Sequence, residues 1–125
     1  MVTISGAYSG FAAKDLTATA DFYRRLGIEV VDTPQGLLLP FPGGGHAFVY
    51  SKPDHEPAGF SVFYLEVDDI DRAMDELAAA GIEPERYEGF PQDERGVVRG
   101  RAADRGPDIA WVLDPSGNVV AITQS

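Results

Sequence analysis

Apolar residues recur along this chain with two periods, and those periods alternate in the same order twice. Tyr8 to Ala13 is short and mixes small with aromatic residues, as a strand does. Leu16, Ala20, Tyr23 and Leu26 then recur at helical spacing, one stripe of a helix over 16–26. Asp15 stands before the stripe as an N-cap, because its carboxylate accepts from the free N–H groups of a first turn, and Gly27 follows as a stop. Ile28 to Val31, Gly36 to Leu39 and His46 to Ser51 are expected strands, the last two separated by the breaking stretch Pro40 to Gly45. A polar linker with two prolines covers 52–59. The order then returns: a strand at Phe60 to Val67, a cap at Asp69, a helical stripe of Ile70, Ala73 and Leu77, a stop at Gly81 and a new strand from Ile82. Trp111 to Thr123 is a hairpin, two apolar runs around the turn Asp114-Pro115-Ser116-Gly117.

The two halves superimpose by spacing. Asp15 to Gly27 and Asp69 to Gly81 are both steps of 12, and Gly27-Ile28-Glu29 matches Gly81-Ile82-Glu83. Gly45-His46-Ala47-Phe48-Val49 is expected to match Gly117-Asn118-Val119-Val120-Ala121. Gly81 to Gly117 spans 36 residues where Gly27 to Gly45 spans 18, and the surplus falls in the charged, glycine-rich stretch 87–106. That stretch is expected to be a long loop, either solvated or a lid with cationic tips, and long loops in compact domains are often functional. The predicted fold is α+β: two β-α-β-β-β modules, 1–51 and 60–125, joined by the linker 52–59 in one domain.

Composition narrows the function. Without cysteine there is no disulfide, thiolate ligand or cysteine nucleophile. The net charge of −10 argues against nucleic acid as a partner and favours cationic ligands at long range. No apolar run reaches the roughly 20 residues of a membrane helix, and Met1 to Ser5 lacks the features of a signal peptide, so no membrane partner and a cytoplasmic location are expected.

Three motifs in order, D-F-Y-R-R-L-G-I at Asp21 to Ile28, V-D-D-I-D-R-A at Val67 to Ala73 and D-P-S-G-N at Asp114 to Asn118, resemble the vicinal oxygen chelate superfamily. That superfamily includes glyoxalase I, bleomycin-resistance proteins and extradiol dioxygenases. The resemblance implies a curved, cavity-enclosing mixed sheet with helices outside, and a homodimer. Its metal enzymes hold a divalent ion with His and Glu from the first and last strand of each module. The matching positions here are Tyr8, Val49, Val62 and Ala121. None is a histidine or carboxylate, so no metal, no cofactor and no catalytic residue are expected. His46 is read as structural and His55, between Asp54 and Glu56, as part of a solvated loop.

What remains is a pocket. Strand alternation, with the former ligand positions facing inward, predicts a lining that includes Tyr8, Gly10, Ala47, Val49, Phe60, Val62, Tyr64 and Ala121. Trp111, the only tryptophan, lies on the opposite face of its strand from Ala110 and Val112, either stacked on a flat ligand or in the core. The expected function is metal-independent binding and sequestration of a hydrophobic or aromatic small molecule, such as an antibiotic, in the manner of bleomycin-resistance proteins. The alternative is a glyoxalase- or dioxygenase-like enzyme (lyase, isomerase or oxygenase) acting on a small metabolite.

Overall fold

The two Asp-to-Gly steps become two capped helices in the computed structural model, which describes residues 1–125. The Asp15 carboxylate accepts from Ala18 N at 3.1 Å, and the Asp69 carboxylate from Arg72 N at 3.1 Å. Helix α1 runs Leu16–Leu26 and helix α2 Ile70–Ala79. Both end in the same way. Gly27 and Gly81 take left-handed backbone, and the next amides, Ile28 N and Ile82 N, each donate back into the last turn at 2.9 Å.

Each helix accompanies its own four-stranded mixed sheet, so the fold is α+β. The chain divides into two compact units, 1–56 and 57–125, with the division inside the linker. In the first unit β1 (Ser9–Ala13), β2 (Val31–Thr33), β3 (Gly36–Pro40) and β4 (His46–Ser51) take the order β1-β4-β3-β2. In the second, β5 (Ser61–Glu66), β6 (Val98–Arg99), β7 (Asp108–Leu113) and β8 (Val119–Gln124) repeat it as β5-β8-β7-β6. The first and last strands of each unit pair in parallel and all other pairs are antiparallel. Neither sheet closes, and no helix is long and apolar enough to cross a membrane.

One sheet face in each unit is the core. In the first, Phe11, Leu37, Leu39, Ala47 and Val49 are buried, share a face through their pairing, and meet α1, whose Tyr23 ring lies 6.2 Å from that of Phe11. In the second, Phe63, Val112, Val120 and Ile122 face α2, which buries Ile70, Met74 and Leu77. Full burial of such a side chain contributes about 1.5–3 kcal/mol, against about 0–1 for an exposed ion pair such as Arg24–Asp32, so the apolar faces dominate stability. Backbone proximity fixes one position absolutely: Gly36 has φ +152, and a Cβ there would lie 2.3 Å from the Val49 carbonyl oxygen.

Several expectations are corrected. The strand expected at Ile28 to Val31 begins only at Val31, because the Ile28 amide is spent closing α1. For the same reason no strand starts at Ile82; the fourth strand of the second sheet is β6, inside the stretch expected to be a loop. The helical stripe of α2 includes Met74, buried, where Ala73 is only half-buried. The repeat also shifts by one residue at the last strand. Phe11 pairs with Val49 and Leu65 with Ile122, and both first-strand residues lie four before their cap aspartate. Val49 therefore corresponds to Ile122, and the counterpart of Ala121 is Phe48.

Candidate functional site

The second unit's other sheet face carries the chain's densest aromatic cluster. In register across β5, β8 and β7 stand Tyr64, Ala121 and Trp111. Trp111 is 8% exposed, and its ring is flanked by two others from the segment after α2. Tyr87 meets it edge-on at 5.5 Å and 79°, and Phe90 lies at 5.1 Å, tilted by 56°. Tyr87 and Phe90 are themselves 6.3 Å apart, edge to face. Such pairs contribute about 0.5–1.5 kcal/mol each beyond burial. Around these rings is an open cavity of about 350 Å³, lined also by Phe60, Tyr64, Ile109 and Val119 and by Gly59 and Ser61. Phe60, Tyr64 and Phe90 are well exposed, so the cavity mouth is apolar and aromatic.

The segment that brings Tyr87 and Phe90 here is held by polar side chains outside the cavity. Gln92 accepts from Tyr87 N at 2.8 Å and donates to the carbonyl oxygens of Glu85 and Gly96, each at 2.8 Å. Glu85 N donates to Trp111 O at 2.7 Å, fixing the segment to β7. Asp93 accepts from Arg95 N, Val97 N and Arg99 Nε, all at 2.9 Å. Arg99 continues to α2 with a fork on Asp71 at 2.7 and 3.1 Å, and Arg95 pairs with Asp75 and Asp71. The hydrogen bond from Arg99 holds the Asp71 carboxyl below the usual range. Burial acts to raise Asp93, but bonds from Val97 N, Arg99 and Arg95 N outweigh it and the net shift is downward. Asp71 and Asp93 in turn hold the Arg99 guanidinium ionised. The middle of the stretch is thus packed, since Val97 is fully buried and Arg95 and Arg99 are paired, while residues 101–106 form an exposed turn.

The residues expected to line one pocket are divided by these registers. Tyr64 and Trp111 stand at the cavity, with Phe60 at its mouth. Ala121 is on the cavity's sheet face but fully buried, clustered with Trp111 and Val119, so it supports the wall and leaves no open space. Val62 falls in a bulge between Ser61 and Phe63, which resets the alternation and brings Ser61 rather than Val62 onto that face. Ala47 and Val49 are fully buried on the helix-facing side of the first sheet, correcting the expected alternation. Tyr8 and Gly10 are exposed on that sheet's other side, where Gly10 pairs with Phe48 and the Tyr8 ring stacks on His46 at 4.8 Å and 18°. Tyr87 and Phe90 were not among the expected residues. The available signal was two aromatics three apart in a stretch otherwise charged and rich in glycine.

With the register corrected, the positions matching the superfamily's metal ligands are Tyr8, Phe48, Val62 and Ala121. These side chains do not fit a divalent ion, and no three His, Asp or Glu side chains are grouped to hold one.

The hairpin that carries Trp111 is fixed by its turn. Asp114, buried, accepts from Ser116 N, Asn118 N and Asn118 Nδ2, each at 2.9 Å, while Gly117, at φ +83, packs against Pro57. The fold as a whole has counterparts in known structures. A bleomycin-binding protein complexed with bleomycin is similar at a TM-score of 0.68 and 24% identity, over 98% of this chain and 99% of that one. A bleomycin resistance determinant encoded on the transposon Tn5 is similar at 0.69 and 26%, over 98% of each chain. The fosfomycin resistance protein FosX from Listeria monocytogenes is similar at 0.69 and 16%, over 98% of this chain and 95% of that one. No protein of curated function matches the chain in sequence. The family model described as Glyoxalase/Bleomycin resistance protein/Dioxygenase superfamily matches residues 7–122, nearly the whole chain, and with the repeated β-α-β-β-β plan the chain belongs to that superfamily.

Proposed function

We propose that the protein binds an aromatic or hydrophobic small molecule, an antibiotic of the bleomycin kind, and sequesters it without metal and without turnover. The observation that supports this most directly is the open aromatic cavity beside Trp111, Tyr87 and Phe90. Flat ring systems are retained by stacking and edge contacts with such side chains, and a cavity of about 350 Å³ is of small-molecule size. The structural likeness to a bleomycin resistance determinant supports the ligand class, and the net charge of −10 favours a cationic drug at long range. The absence of His and carboxylate at the superfamily's ligand positions supports metal independence, and the superfamily resemblance supports a homodimer.

The experiment is a titration with bleomycin, read by the fluorescence of Trp111, the only tryptophan. A saturable change, equal before and after EDTA treatment and without conversion of the drug, is expected. A flat titration for bleomycin and for a panel of other aromatic antibiotics would overturn the reading, and chemical change of the drug would replace it with an enzymatic one.

A further inference from the structure

One of the cavity's lining residues carries a buried polar group with nothing to bond. The Tyr87 hydroxyl is closed to solvent and has no hydrogen-bond partner in the protein. Leaving such a group unpaired costs about 1–3 kcal/mol, so buried hydroxyls are normally satisfied. Here the surroundings supply no acceptor: the ring is wedged between those of Phe90 and Trp111, with Val98 and Ile109 packed nearby. The nearby amides are committed elsewhere, Tyr87 N to Gln92 and Glu85 N to Trp111 O. The ring is therefore held in place by its amide and its neighbours, and nothing in that arrangement uses the oxygen. A phenylalanine would fill the same space without the cost.

Resting on the pocket reading above, we infer that Tyr87 is the specificity-determining residue of the cavity, its hydroxyl donating to an acceptor atom on the bound ring system. The ligand class is accordingly a planar aromatic with a ring nitrogen, carbonyl or ether oxygen, rather than a plain hydrocarbon. Burial and the nearby Glu85 charge raise the hydroxyl's pKa, so it stays protonated and able to donate at neutral pH. The unpaired hydroxyl is a cost of the free state that an acceptor removes on binding, which makes discrimination steeper than packing alone allows. Because the hydroxyl is closed to solvent, an acceptor reaches it only past a flanking ring, and of the two rings beside it Phe90 is half-exposed where Trp111 is buried.

The test uses two probes of one shape, quinoline and naphthalene, which differ by a single ring nitrogen. Their dissociation constants are measured by equilibrium dialysis at pH 7.5 for the wild-type protein and for Tyr87→Phe. The preference for quinoline over naphthalene is expected to fall about fivefold in the variant, the effect of one neutral hydrogen bond. Comparing ratios cancels the different hydration of the two probes. Without ligand, Tyr87→Phe should melt at or above the wild-type temperature, since it removes an unpaired group. An unchanged preference overturns the inference, and so does a variant that melts several degrees lower, because the hydroxyl would then have a partner within the protein. If neither probe binds the wild type, it is the pocket reading that fails, and this inference with it.

Discussion

The two sheets have one topology and opposite fortunes at equivalent positions. In the second unit the last strand places Ala121, a methyl group, between Tyr64 and Trp111, and the large rings stand on the flanking strands. In the first unit the equivalent position is Phe48, with Gly10 and Leu38 beside it, so the large residue is central and a flanking one is small. The second sheet also gains a wall from outside itself, the segment carrying Tyr87 and Phe90, for which the shorter first unit has no counterpart. Duplicated modules thus keep backbone pairing while the side chains of one face are redistributed. The aromatic cavity beside Trp111 is therefore a property of one module.

The contrast can be broken by substitution. Trp111→Ala removes the ring on which Tyr87 and Phe90 converge and should cost about 3–5 kcal/mol in denaturant unfolding. Phe48→Ala, at a half-buried position without such partners, should cost about half as much, and equal losses would mean that the aromatic cluster adds nothing to simple burial. Ala121→Phe gives the second unit the first unit's residue. It should destabilise by about 1–3 kcal/mol through overpacking and shift Trp111 emission to longer wavelength as that ring is pushed outward. Unchanged emission would show that the wall accepts the larger side chain without moving.

The smallest effect expected is on the pH dependence of stability. Asp71 and Asp93 have folded-state values below 3.8, so on acidification the unfolded chain takes up protons first. Their stabilisation is complete above that value and is lost as pH falls through the lower, folded values. Arg99→Gln should flatten this acid limb and bring Trp111 more readily within reach of acrylamide, because the segment bearing Tyr87 and Phe90 is anchored through Arg99. An identical acid limb in the variant would place the titration elsewhere.

Local signals made the fold legible. Asp15 and Asp69 cap at three residues' range, Gly27 and Gly81 end the helices through left-handed backbone, and the Asp114 turn closes within five residues. The site was less legible, because its determinants are remote in sequence. Arg99 reaches Asp71 across 28 residues, and without that pair the stretch from Tyr87 to Gly106 is only charged and rich in glycine. Glycine landmarks misplaced Val49 against Ala121 by one residue, since Gly45 is the last residue of its five-residue turn and Gly117 the last but one of a turn of equal length, and a slip of one exchanges the two faces of a strand. A bulge near Val62 likewise leaves no mark on residue type.

The parallel pairing of first and last strands also sets the order in which each unit assembles. The β7–β8 hairpin closes over a short turn, whereas Leu65 and Thr123, which meet across the β5–β8 seam, are 58 residues apart along the chain. Contacts of that separation come late, after the loop entropy has been met by the structure between them. Amides of the hairpin are accordingly expected to gain protection from exchange early in refolding, and those of β5, at the sheet edge, last. Phe60 and Tyr64, which flank or belong to that late strand, take their places at the cavity only in the final step, so the cavity is completed only when the unit is.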